Sequence, residues 1–331
     1  MKYRLIALIL IIFVLFMSDI EAKQLVSAGF IQFYNDDLIN TTKTLNDSKM
    51  NNIDLIILQF TKWDNVTVNY DKNKILEWSK TNDSKILIGL TGRGSKVNGL
   101  DRDHTTYWKN KVDNIKITNL IEEDMEIVTD WPRNNKVIIG FYSSYEPLST
   151  MYVRDVGIEY DEYLLGLSNK LEDWAKTNNR DIILAFSGAV AYHSAHSEYA
   201  RRVIKDKAKI FSERILKIAK KVLANKNRVK LVFILQDGAG ERKVSNDQLA
   251  VKVKPFFVEV KKELKTINNI KFWPLIEAFD RVGAVRKHTS KDSLKRRWEN
   301  ISDLGWNSGI EDKYRIVVFD LPSFNKTMGG Y

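Results

Sequence analysis

Hydrophobic positions divide most of this chain into short apolar runs, which alternate with longer stretches in which apolar residues recur at helical spacing. Eight of the runs, rich in Val, Ile, Leu and Phe, have the length and composition of strands buried on both faces. The predicted strands cover residues 26–33, 53–60, 85–90, 137–142, 181–186, 229–235, 270–277 and 314–320. Strands buried on both faces are typical of a parallel sheet, so the pattern predicts parallel strands.

Seven helices are predicted between these strands. In one of them Leu164, Leu167, Leu171 and Trp174 recur at every third or fourth position, which places them on one helix face. The predicted helices cover residues 36–51, 70–80, 105–129, 161–178, 198–223, 246–264 and 291–304. Pro255 lies inside the sixth helix, so both a continuous helix and one interrupted before this proline are considered.

The alternation of strands and helices predicts a single (β/α)8 TIM barrel over residues 23–331. No long Pro- or Ser-rich linker divides this part of the chain. A doubly wound open sheet is the alternative. It is the weaker one, because the first strand is not followed by GxGxxG and the chain contains no GxxxxGK[ST]. In a closed barrel the functional side chains lie at the carboxyl ends of the strands.

The N-terminus predicts export. Lys2 and Arg4 precede an apolar run over residues 5–17, and the segment SDIEA (18–22) follows, with small Ala22 at its end and Ile20 as an imperfect residue for a cleavage site. This is the order of a bacterial secretory signal peptide over residues 1–22, so the mature protein is expected to begin at Lys23 in the periplasm or the medium. Only an uncleaved segment would attach the protein to a membrane.

Composition excludes several classes of site. The chain has no Cys, so it can form neither a disulfide nor a thiolate metal site, and its four His are few for an imidazole-rich centre. His193 and His196 form a lone HxxH, and we expect no metal and no cofactor. The net charge is +10, but the Lys residues are scattered, which favours a solvated surface and leaves an anionic partner open. No nucleic-acid-binding motif is present, so no nucleic-acid partner is expected.

Two of the predicted strands end in a single glutamate. Glu277 ends the seventh strand, and Glu146 follows the fourth. An unpaired acid at the end of a buried strand costs stability, which makes both residues candidates for function. Strands four and seven lie nearly opposite each other in a ring of eight, so both carboxylates are expected to point at the same cavity. Two carboxylates are what hydrolysis of a glycosidic bond requires.

The other predicted strand ends carry amides, acids and aromatic rings, a set suited to hydroxyl groups and to stacking on sugar rings. The candidate substrate-binding residues are Gln32, Gln59, Trp63, Tyr142, Tyr145, Gln236, Asp237 and Asp320. Asp237 precedes a Gly-rich stretch, so capping of a tight turn and substrate binding are both open for it. It is also the third candidate for a catalytic acid.

Several segments together resemble a domain-of-unknown-function family of bacterial TIM barrels similar to clan A retaining glycosidases. The segments are GFIQ (29–32), IDLIILQFT (53–61), GFYSSYEP (140–147), LQDGAG (235–240), FWPLIEAF (272–279) and VVFDLPSF (317–324). The resemblance implies that Glu146 is the general acid/base and Glu277 the nucleophile. Clan A enzymes place Asn directly before the acid/base glutamate, whereas this chain has Tyr145.

Two functions are therefore considered. The first is retaining hydrolysis of an envelope or extracellular polysaccharide or oligosaccharide, with an anionic one left open. The second is a catalytically silent barrel that binds such a polysaccharide, because a fold does not fix a function.

Overall fold

The computed structural model describes most of the chain after the predicted signal segment. The described residues are 26–31, 38–63, 66–67, 71–92, 95–97, 100–102, 114–133, 135–149, 158–189, 198–240, 244–267, 270–282, 285–302 and 316–329. The predicted signal segment and the HxxH pair lie outside them.

Eight parallel strands close into a barrel in which each strand pairs with its neighbours in sequence, and the first pairs with the last. The strands are β1 Val26–Ile31, β2 Leu55–Leu58, β3 Lys85–Gly89, β4 Ile138–Ser149, β5 Ile182–Ala189, β6 Val229–Gln236, β7 Ile270–Glu277 and β8 Ile316–Phe319. The predicted closed ring of eight parallel strands, including 53–59 and 231–235, is confirmed. The open-sheet alternative is wrong, because a doubly wound sheet would leave two unpaired edges.

Eight α-helices lie within the described part of the chain. They are α1 Leu38–Met50, α2 Lys72–Thr81, α3 Asn114–Asp130, α4 Ile158–Thr177, α5 Glu198–Leu223, α6 Leu249–Leu264, α7 Lys291–Ser302 and α8 Leu321–Gly329. A 3-10 turn over Asn246–Gln248 leads into α6, which runs through Pro255 without a break. The buried side chains of Val253, Phe256 and Phe257 hold this helix against the core despite the hydrogen bond lost at the proline.

Two predictions about the elements need correction. The fourth strand does not end at Tyr142 but extends to Ser149, so the backbone of Glu146 lies inside the strand. The last helix, α8, was not predicted, because its nine residues are too few to show clear helical spacing. None of the described helices has the length and apolar character that a membrane crossing requires.

The barrel separates two apolar layers. Side chains that point inward form one cluster, which includes Phe30, Tyr142, Trp273, Phe279 and Phe319. Side chains that point outward pack against the helices in a second, larger cluster. This alternation along every strand decides which strand-end residues face the barrel interior and which face the helices.

Candidate functional site

Strand β7 delivers Glu277 to the carboxyl end of the barrel. Trp273 and Leu275 belong to the inner cluster, and Ile276 belongs to the outer one, so alternation places Glu277 on the inner face. Its side chain is buried, with 1% of its surface exposed. The strand ends at this residue, as the sequence predicted.

The turn after β6 packs directly against the Glu277 side chain. A methyl group added at Gly240 would lie 2.8 Å from Glu277 Cβ, 3.1 Å from its Oε2 and 2.5 Å from the carbonyl oxygen of Phe279. Gly238 in the same turn has a φ of 72°, a conformation that glycine adopts without strain. The glycines of the LQDGAG segment therefore allow the β6 turn to approach the carboxylate closely.

Asp237 caps this turn. Its Oδ1 accepts a hydrogen bond from the backbone N–H of Ala239 at 3.0 Å and a longer one from the N–H of Glu277 at 3.4 Å. The carboxyl group is fully buried, and its Oδ2 has no hydrogen-bond partner among the described residues. The turn-capping interpretation thus accounts for one oxygen of Asp237, and substrate binding by Asp237 stays a prediction.

Burial raises the pKa of Asp237 from 3.8 to about 6, although the nearby charge of Arg297 and the two backbone hydrogen bonds act in the opposite direction. The folded protein therefore holds this proton more tightly than the unfolded chain does. The stabilising contribution is fully present below pH 3.8 and is lost as the pH rises through about 6.

Between pH 4 and pH 6 the free energy of unfolding should fall less in Asp237→Asn than in the wild-type protein, because an amide does not titrate. Urea unfolding of the two proteins at pH 4, 5, 6 and 7 measures this. Part of the slope should remain, because burial also raises the pKa of Asp124 to about 6. Asp206→Asn, at an exposed position, is the matched control. An unchanged slope in Asp237→Asn would contradict the burial effect.

Arg297 fixes the backbone that follows Glu277. Arg297 lies on α7 and is buried, with 2% of the residue exposed. Nη1 donates to the carbonyl oxygens of Glu277 and, at 2.9 Å, of Phe279, while Nη2 forms an ion pair with Asp280. Nε donates to Oδ1 of Asn246 at 3.1 Å. These contacts join α7, the turn before α6 and the end of β7 around the carboxylate.

Tyr142 lies on the inner face of β4. Its ring is fully buried and meets Phe30 edge to face at a centroid distance of 5.0 Å. Its hydroxyl forms a 2.7 Å hydrogen bond with the hydroxyl of Ser187 on β5. The ring therefore lies among the side chains that fill the barrel, and its contact with a substrate stays a prediction.

The strand that carries Glu146 is fastened to its neighbours just before that residue. Ser144 donates from its hydroxyl to the carbonyl oxygens of Gln59 and Leu90, which follow β2 and β3. The backbone of Glu146 is therefore placed at the carboxyl side of the barrel, on a different strand from Glu277. The side chain of Glu146 lies outside the described part of the structure, and its catalytic role stays a prediction.

Tyr145 lies on the helix side of β4. Its fully buried ring belongs to the outer cluster and meets Tyr163 of α4 edge to face at 5.2 Å. The Tyr163 hydroxyl in turn donates to Asp124 of α3 at 2.6 Å, and the other oxygen of Asp124 accepts from the N–H of Thr91. Tyr145 supports the end of β4 from the helix side, and its predicted contact with a substrate stays a prediction.

The remaining candidates follow the ends of other strands. Gln59 and Gln236 are partly buried, and the amide oxygen of Gln59 has no hydrogen-bond partner among the described residues. Asp320 accepts from the N–H of Ser323 at 2.9 Å at the start of α8, which is a helix-capping contact. Trp63 lies in a short strand with its side chain outside the described part, as all of Gln32 does. Substrate binding stays a prediction for these residues.

Arg297 is the main residue at this site that the sequence analysis missed. It occupies the buried face of α7 together with Leu294 and Ile301, at positions i, i+3 and i+7. A charged residue inside an apolar stripe was therefore the available signal. In the part of the chain that the structure describes, no group of three or more acidic or His residues is arranged to hold a metal ion.

Comparison with known proteins supports the fold. No protein-family model matches the chain, and no curated protein matches its sequence significantly. A crystal structure of a candidate alpha-L-fucosidase from Bacteroides thetaiotaomicron is 14% identical, with a TM-score of 0.61 over 92% of this chain and 95% of that one. A GH1 beta-glucosidase from Exiguobacterium antarcticum is 8% identical, with a TM-score of 0.52 over 90% and 88%.

At such low sequence identities, these structural similarities establish only the fold. The chain is a (β/α)8 barrel of the kind found in glycoside hydrolases, so the resemblance stated from the sequence is confirmed at the level of the fold.

Proposed function

We propose that this protein is a glycoside hydrolase that cleaves a polysaccharide or oligosaccharide with retention of the anomeric configuration. The observation that carries the proposal is the buried Glu277 at the carboxyl end of β7, held between the Gly240 turn and the backbone fixed by Arg297. Such rigid support is expected of a catalytic group, because a reacting atom must be held within fractions of an ångström.

The two glutamates take different roles in this proposal. A carboxylate oxygen of Glu277 attacks the anomeric carbon, and the bond from that carbon to the leaving oxygen breaks while Glu146 donates its proton to that oxygen. Water then attacks the glycosyl-enzyme ester and gives its proton to Glu146, which releases Glu277. The structural neighbours include a beta-glucosidase, which agrees with this reaction class.

The experiment that tests the function is a screen of the purified protein against soluble polysaccharides and aryl glycosides. We expect new reducing ends with at least one of them, and the first product formed should keep the anomeric configuration of its substrate when followed by NMR. Inversion would overturn the retaining mechanism. Binding of a polysaccharide without cleavage of any substrate would establish the silent barrel instead.

Export is part of the same proposal. The basic and then apolar order of residues 1–22 supports cleavage after Ala22. N-terminal sequencing of protein recovered from the periplasm or the medium should give Lys23 as the first residue. Soluble cytoplasmic protein that still begins with Met1 would refute it.

A further inference from the structure

A buried aspartate lies in the helix layer behind β3 and β4. Asp124 belongs to α3 and is fully buried, and the proposed reaction makes no use of it. Burial raises its pKa to about 6, although the hydrogen bonds that it accepts act in the opposite direction. Burying a carboxylate costs free energy that its hydrogen bonds must offset, so the groups that donate to Asp124 show which segments it holds.

One oxygen of Asp124 fixes the peptide group that follows β3. Oδ1 accepts a hydrogen bond from the N–H of Thr91 at 2.9 Å. The carbonyl oxygen of the same peptide group, which belongs to Leu90, accepts from the hydroxyl of Ser144 on β4 at 3.0 Å. Ser144 precedes Glu146 by two residues. Asp124 is therefore connected to the Glu146 segment through a single peptide group.

The other oxygen of Asp124 is connected to the same segment through α4. Oδ2 accepts from the hydroxyl of Tyr163 at 2.6 Å. The Tyr163 ring meets the ring of Tyr145 edge to face at a centroid distance of 5.2 Å, and Tyr145 directly precedes Glu146. Both rings are fully buried. Because close-packed interiors transmit small displacements, a shift of Tyr163 would be passed on to Tyr145.

Glu172 offers a comparison at the other end of the barrel. It lies on the same helix as Tyr163, is buried, and accepts hydrogen bonds from the backbone N–H groups of residues 227–229, which lead into the amino end of β6. Asp124 and Glu172 are thus both buried acids that hold backbone beside a strand. They differ in position, because Asp124 acts at the carboxyl end, where the proposed reaction takes place.

We infer that Asp124 and Tyr163 are positioning residues for Glu146, which act on it through the end of β4. This inference rests on the proposed function, because it concerns the step in which Glu146 gives its proton to the leaving oxygen. A general acid must lie within hydrogen-bond reach of that oxygen, and a displacement of about 1 Å can lower the rate about 10²-fold. Loss of the Asp124 contacts should therefore impair protonation of the leaving group more than attack by Glu277.

The test compares two aryl glycosides of the sugar that the screen identifies. The leaving oxygen of a phenyl glycoside needs a proton, whereas that of a dinitrophenyl glycoside does not. Because kcat/KM covers the reaction only up to the first bond cleavage, water attack on the ester does not enter it. Near pH 7, Asp124→Ala and Tyr163→Phe should lower kcat/KM about tenfold or more on the phenyl glycoside and less than about threefold on the dinitrophenyl glycoside.

Two control variants separate positioning from general destabilisation. Asp124→Asn should keep kcat/KM on the phenyl glycoside within about threefold of wild type, because its amide can accept from Thr91 and donate to the Tyr163 oxygen. Glu172→Ala should lower stability without changing the ratio of the two kcat/KM values. Equal losses on both substrates in Asp124→Ala and Tyr163→Phe, or the same change of ratio in Glu172→Ala, would overturn the inference.

Hydrogen exchange tests the same contacts without turnover. In Asp124→Ala the N–H groups of residues 143–149 should exchange about fivefold or more faster, relative to those of β7, than in wild-type, Asp124→Asn or Glu172→Ala protein. Tyr163→Phe, which removes one hydroxyl, replaces Asp124→Ala in both measurements if the latter does not fold. A wild-type protein that cleaves nothing would refute the hydrolase, and faster exchange at 143–149 would still uphold the support of the Glu146 segment. Unchanged exchange would overturn that support.

Discussion

Glu277→Gln is expected to abolish hydrolysis and to leave substrate affinity and the thermal unfolding midpoint nearly unchanged. The amide has the shape of the carboxylate but cannot attack the anomeric carbon, so only the chemical step is lost. Turnover should fall by at least about 10³-fold, as is typical when a nucleophile is removed. Steady-state kinetics on the substrate found by screening, with calorimetry for binding, measures both quantities.

Glu77→Gln, at an exposed position of α2, is the control for the same chemical change and should retain wild-type turnover. Glu146→Gln gives the complementary result. It should be nearly inactive on a natural substrate but partly active on an aryl glycoside whose leaving group needs no protonation. Wild-type turnover in Glu277→Gln would show that the roles are misassigned, and Asp237 would become the first candidate for the nucleophile.

Arg297→Met is expected to destabilise the protein by about 3 kcal/mol or more. Two buried carbonyl oxygens lose a charged donor, and a buried acceptor left unsatisfied costs about 1–3 kcal/mol. Asp280 also loses its partner, although its side chain is 40% exposed and can be solvated. Urea unfolding at pH 7 measures the change in the free energy of unfolding.

The neighbouring Arg296→Met is the matched control, because Arg296 is exposed on the same helix and its loss should change stability by less than about 0.5 kcal/mol. Positioning of Glu277 by Arg297 predicts a second effect, a fall in kcat larger than the change in KM, measured where the variant is fully folded. Removal of the positive charge should also raise the pKa of Asp237 further, which moves the pH dependence of stability upward. Equal stability of the two variants would contradict the structural role of Arg297.

The fold was predictable because a parallel barrel leaves a strong pattern in the chain. Strand β7 has the bounds that its apolar run predicted, and so does α5, whose helical spacing continues for 26 residues. The prediction ended β4 at Tyr142 because Ser143, Ser144 and Glu146 are polar. The strand continues because the Ser144 hydroxyl bonds to carbonyl groups that follow β2 and β3, and because Leu148 and Ser149 pair with β5. Tertiary pairing decides such strand ends, which local composition does not record.

Parts of the candidate site depend on contacts between distant segments. Arg297 contacts the carbonyl oxygen of Glu277 because α7 packs beside the end of β7. The sequence alone does not show that these two segments come together. The packing of Tyr145 against Tyr163 depends on the continuation of β4 beyond Tyr142, where the sequence predicted the end of the strand. Glu277 itself was correctly placed at the end of β7, because it directly follows an uninterrupted apolar run.

The separation of the two catalytic carboxyl groups tests the central claim most directly. A crystal structure of the protein with an oligosaccharide bound would measure it between Glu146 and Glu277. The proposed retaining mechanism predicts about 5–5.5 Å, with both groups facing the sugar. A separation of about 6.5–9.5 Å would indicate an inverting enzyme, and a larger one, or a Glu146 side chain turned toward the helices, would contradict the proposal.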